Sequence, residues 1–93
     1  MTNNLFISYD LYTPGQNYEK VIAAIQALGN WAKVHKSFWF VKSSLSASDA
    51  ATRVWAVMDS NDSLIVIDAT NNLAAWHNLD SKVSQFIKDN WLK

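Results

Sequence analysis

The side chains of this sequence that could do chemistry are few, and most lack a partner at a useful spacing. None of the 93 residues is cysteine, which removes disulfides, thiolate nucleophiles and cysteine-rich zinc sites together. Gly15 and Gly29 are the only glycines, too few for a phosphate loop, a dinucleotide fingerprint or a serine-nucleophile elbow. His35 and His77 stand 42 positions apart with no acid-base partner marked by spacing, and a lone histidine reads first as structural. What remains is Asp10, which closes the apolar run Leu5-Phe6-Ile7-Ser8-Tyr9, and the polar residues His35, Lys36, Ser37 and Lys42 around Phe38 and Phe40. An aspartate at a strand end is a candidate metal ligand, and equally a cap for the turn that follows.

The elements that must position these residues follow from periodicity and punctuation. Leu5 to Tyr9 reads as a first strand, ended by Asp10 and the turn-forming Thr13-Pro14-Gly15. Tyr18, Val21, Ile22, Ile25 and Leu28 fall at helical spacing, with Asn17 to cap the helix and Gly29 to supply a left-handed stop. Two short strands, Trp31 to His35 and Ser37 to Lys42, are rich in aromatic and β-branched residues. Ser46-Ala47-Ser48-Asp49 opens a second helix with a stripe of Ala47, Ala50, Val54, Val57 and Met58, and Asn61-Asp62-Ser63 ends it. Leu64-Ile65-Val66-Ile67 reads as a fourth strand covered on both faces. Asp80 caps a third helix, about 80–91, carrying Val83, Phe86, Ile87 and Trp91, and residues 70–79 are open between turn and irregular helix.

This order predicts a single α+β domain over 1–93 of the ferredoxin-like type: βαββαβ, an antiparallel sheet of order 4-1-3-2 and an extra C-terminal helix. A composition with 49% apolar and 17% charged residues supports one core. The formal net charge is zero, against a protein that coats nucleic acid by bulk electrostatics. The charges are nonetheless segregated, with Lys20, Lys33, Lys36 and Lys42 in one stretch and Asp49, Asp59, Asp62 and Asp68 in the next. No apolar run approaches the roughly 18 residues a membrane span needs, and the start has no basic signal region. The expected location is cytoplasmic with no membrane partner.

Alternation places Phe6, Ser8 and Asp10 on one face, together with Lys36, Phe38, Phe40 and Lys42, while Leu5, Ile7, Tyr9, Trp39 and Val41 face the helices. Three phenylalanines on a helix-free face need a cover, either a partner subunit, stacked bases or the chain's own C-terminal helix. The five tryptophans, Trp31, Trp39, Trp55, Trp76 and Trp91, read as core and interface area.

Leu5-Phe6-Ile7-Ser8-Tyr9-Asp10-Leu11, the helix ending in Leu28-Gly29, and Val34-His35-Lys36-Ser37-Phe38-Trp39-Phe40 resemble the small CRISPR-associated adaptation nucleases and the VapD ribonucleases. The resemblance spans about the first seventy residues and implies a ferredoxin-like homodimer with facing sheets, burying Phe6, Phe38 and Phe40. It maps the family's catalytic and metal-binding aspartate onto Asp10 and its hairpin serine onto Ser37, with magnesium shared between two subunits in the catalytic members. His35, Lys36 and Lys42 are then the candidate contacts to RNA or DNA. Leu11-Tyr12-Thr13-Pro14-Gly15 stands where nuclease members carry acidic and arginine residues, so the chain resembles more closely a Trp-rich, uncharacterised branch. A second likeness, of Lys36-Ser37-Phe38-Trp39-Phe40-Val41 to the RNA-recognition-motif pattern, lacks the glycine and the small residue of that pattern. The expectation is a homodimeric nucleic-acid-associated protein, either a magnesium-dependent endoribonuclease or an inactive relative without a cofactor. The alternative is a non-catalytic dimer that binds another protein.

Overall fold

Strand β1, Asn3–Asp10, is the spine of the sheet, pairing antiparallel with β3 (Phe38–Ser43) on one side and β4 (Ser63–Asp68) on the other. Strand β2 (Gly29–His35) pairs with β3 and completes the order β2-β3-β1-β4, which read from the opposite edge is 4-1-3-2. The computed structural model describes residues 2–12 and 18–91. Helices α1 (Tyr18–Gln26) and α2 (Ala47–Trp55) make the two crossovers, and α3 (Ser81–Asn90) follows β4. This α+β arrangement is compatible with the ferredoxin-like fold. Among the described residues no helix is long and apolar enough to cross a membrane.

The core forms where strand alternation meets the helical stripes. Leu5, Ile7, Tyr9, Trp39 and Val41 project from the sheet onto Val21 and Ile25 of α1 and Ala50 and Val54 of α2, all of them buried. Ile22 is only partly buried against this cluster. Ser46 caps α2 as expected, its Oγ accepting from the Asp49 N–H at 3.0 Å, and Asp80 caps α3 by accepting from the Lys82 N–H at 2.9 Å. Two buried donors, the Tyr9 hydroxyl and Trp39 Nε1, find no partner among the described residues. Each costs about 1–3 kcal/mol, less than the roughly 4–6 kcal/mol that burying 150–250 Å² of ring contributes.

Several expectations change for identifiable reasons. Gly29 is not a left-handed helix stop but the first residue of β2. A Cβ there would lie 2.1 Å from the Lys42 carbonyl oxygen, so glycine is needed for the close approach of β2 to β3. Lys36 lies in the β2–β3 turn rather than on β3, which begins at Phe38. The fourth strand is not covered on both faces: Ile65 is 56% and Ile67 49% exposed, because β4 is an edge strand with helices on one side only. Residues 70–79 form no helix, and Asn71 and Asn78 take positive φ values of 67° and 62°, turns that asparagine tolerates best after glycine. The Thr13-Pro14-Gly15 turn and the Asn17 cap lie outside the described residues.

The helix-free face is covered in part by the chain itself. Phe40 is fully buried, with the rings of Phe6, Phe86 and Trp91 at 5.4, 6.2 and 5.9 Å. Ile87 of α3 is buried beside them. Phe40→Ala is therefore expected to cost about 3–5 kcal/mol, against less than 1 kcal/mol for Ile65→Ala on the same face. Urea denaturation of the two variants checks this, and equal losses would mean that α3 does not cover Phe40 in solution.

Candidate functional site

Two places gather functional side chains, and the sequence pointed to only one. The end of β1 runs beside the β2–β3 turn and the start of β4: the Tyr9 N–H donates to the Ser37 carbonyl at 3.2 Å, and Asp10 pairs in register with Ser63. A shallow hollow of about 180 Å³ there is lined by Ser8, Asp10, Ser63 and Ile65. Asp10 is exposed. Among the described residues no group of three or more His, Asp or Glu side chains could hold a metal ion. Among the described residues this strand end thus offers one exposed carboxylate, and a magnesium ion held by one or two carboxylates keeps water in the rest of its octahedron.

A second acid nearby is structural. Asp62, only 7% exposed, accepts through Oδ1 from the Tyr12 N–H and through Oδ2 from the Asp59 N–H, both at 2.8 Å. It fastens the chain leaving β1 to the loop entering β4. Sequence reading saw in it only a helix end, since nothing local shows that a carboxylate will face two amides from separate segments.

The expected nucleic-acid contacts do not converge. His35 and Lys36 sit at the β2–β3 turn, whereas Lys42 lies near the other end of β3, opposite Asn4 and Asn30. Lys36 and Lys42 are six positions apart, most of them along β3, a span of roughly 15–20 Å. The expected dimer face is likewise divided. Phe40 is buried under α3 within one chain, while Phe6 and Phe38 stay half-buried and stack at 5.4 Å with rings 7° apart. The same cover closes Phe40 to stacked bases.

Beside that stack runs the feature the sequence did not reveal. A groove of about 440 Å³ lies between the sheet face and the segment leading into α3, walled by Phe6, Phe38, Ile67 and Trp76. His35 and His77 both line it, brought together across 42 positions. His35 stacks on Phe38, with ring centroids 6.0 Å apart. Two indole hydrogen bonds hold the outer wall in place: Trp76 Nε1 donates to Ser84 Oγ at 2.9 Å and Trp91 Nε1 to the Asn72 carbonyl at 3.0 Å. Apolar walls with a few polar groups at a volume of roughly 300–1,000 Å³ describe a ligand pocket. The sequence signal for it was Leu73-Ala74-Ala75-Trp76, an apolar run without helical or strand periodicity.

No protein-family model matches this sequence, and no curated protein matches it. The likeness to the adaptation nucleases and VapD therefore rests on its short motifs alone.

The two acids should separate cleanly by stability. Asp62→Ala leaves two amides without their charged acceptor and is expected to cost about 2–3 kcal/mol, whereas Asp10→Ala should stay within about 0.5 kcal/mol. Chemical denaturation decides between this ranking and one in which Asp10 anchors the strand end.

Proposed function

We propose that the protein is a non-catalytic binding module whose working surface is the groove on the half of the sheet that α3 leaves open. One observation carries this reading: Phe6, Phe38, Ile67 and Trp76 form a concave apolar wall on the face where Ile65 and Ile67 remain about half exposed. Water is displaced from such a wall at little cost, because the walls are already fixed by strand pairing and indole hydrogen bonds. The neutral dye Nile red is the probe. Wild type should bind one dye with enhanced fluorescence, and Ala75→Trp, which fills the groove from an exposed position, should weaken binding at least tenfold with an unchanged melting temperature. Absence of saturable binding by the folded wild type would remove the groove as a binding surface.

A second reading, a divalent-metal ribonuclease acting through Asp10 of two subunits, is supported by the exposed carboxylate of Asp10 at the strand end that runs beside the Ser37 turn. It requires a homodimer that joins the two Asp10 carboxylates without using the face under α3. Labelled RNA and DNA incubated with magnesium, manganese or chelator test it. The binding-module reading expects no chelator-sensitive difference between wild type and Asp10→Asn, and cleavage by wild type that Asp10→Asn abolishes would replace that reading with the nuclease.

A further inference from the structure

The groove has a chemical polarity that narrows what it holds. Among the described residues its ionisable lining is His35 and His77, with no carboxylate side chain. The two acids that adjoin it in the chain are turned to other work. Asp68, next to Ile67, accepts through Oδ1 from the Thr70 N–H and hydroxyl, and Asp80, next to Leu79, caps α3. Lys36 follows His35 directly and adds positive charge at the same end. An imidazole offers at least one N–H donor in either protonation state, and two when charged.

Resting on the reading of this groove as a binding surface, we propose that it takes a small amphipathic monocarboxylate, its apolar body against Phe6, Phe38, Ile67 and Trp76 and its carboxylate between His35 and His77. A carboxylate is the head that fits, because it accepts from donors on both sides, while the neighbouring acids Asp68 and Asp80 are engaged with amide and hydroxyl donors of their own. An ammonium head would enter the same walls without an acid to pair with. An alcohol would keep the apolar contacts and lose the charge-assisted ones. The flat stacked pair Phe6–Phe38 favours a body with an aryl ring, which can continue the stack.

Three matched probes separate these contributions: 4-phenylbutyrate, 4-phenylbutan-1-ol and 4-phenylbutylamine, titrated at one pH and ionic strength and followed by the Ile67 methyl and histidine ring resonances. In wild type the acid should bind at least fivefold tighter than the alcohol and tenfold tighter than the amine. Both histidines are exposed, so the double variant His35→Gln, His77→Gln should keep the fold and bind the alcohol as wild type does. In it the advantage of the acid should fall below twofold. Equal affinity of acid and alcohol in wild type, or an amine that binds best, overturns the carboxylate assignment and leaves the apolar groove standing. No shift with any of the three overturns the binding reading itself. A short peptide ending in phenylalanine that binds tenfold tighter than the acid, and only with a free terminus, overturns the small-molecule assignment in favour of a chain end.

Discussion

The structure depends on how far one short helix can cover one sheet face. Four strands at about 4.8 Å spacing make a face close to 19 Å wide, whereas a helix is about 10 Å across. On the core side two helices, α1 and α2, share that width, and the buried set from Leu5 to Val54 follows. On the opposite side only α3 is at hand, ten residues and so about 15 Å long. It packs toward β2 and encloses Phe40. Coverage stops there, and β4 keeps Ile65 and Ile67 in water.

The groove lies at the limit of this coverage, and its position has a mechanical reason. A chain that leaves β4 at one edge and must place α3 over β2 has to cross the sheet face. Residues 69–80 make that crossing, turning at Asn71 and Asn78 where φ is positive. Ala69 and Thr70 fasten the start of the crossing to Asn4 of β1, and the indole N–H groups of Trp76 and Trp91 tie its later part to α3 and to the residue after α3. A crossing held at such points, rather than laid flat by continuous packing, leaves space beneath it. That space is the groove, which His35 borders from the β2–β3 turn and His77 from the crossing segment.

What was legible in the sequence is what local rules decide. The element order, the core face of β1 and β3, and the caps Ser46 and Asp80 follow from alternation, helical spacing and hydrogen-bonding side chains near their own amides. What was not legible depends on contacts remote in sequence. Gly29 looks like a helix stop because a glycine after an apolar stripe usually is one, and only the Lys42 carbonyl shows otherwise. Leu64-Ile65-Val66-Ile67 looks doubly buried because an apolar run cannot tell a centre strand from an edge. That the end of β1 lies beside the β2–β3 turn was readable, since the strand order dictates it. The meeting of His35 with His77 was not, because residues 70–79 have no periodicity from which a path could be drawn.

The exposed isoleucines on β4 bear on whether the open half of the face is an accident of a short chain. Edge strands are commonly protected by lysine, proline or a bulge, and the described pairing of β4 with β1 shows an unbroken register with none of these. Polar β-formers such as threonine would satisfy the strand at Ile65 and Ile67 with little loss of stability, since half of each side chain is already in water. Leu73, 91% exposed, adds nothing to the core at all. Scattered apolar residues need no explanation, but Ile67 is part of the groove wall itself, and apolar area gathered around a concavity is the arrangement that marks an interaction site. The strand-end carboxylate has no such surroundings. Asp10 is an exposed acid in a hollow of about 180 Å³, whereas the groove sets Phe6, Phe38, Ile67 and Trp76 around one concavity, and that difference is what the proposed binding role rests on.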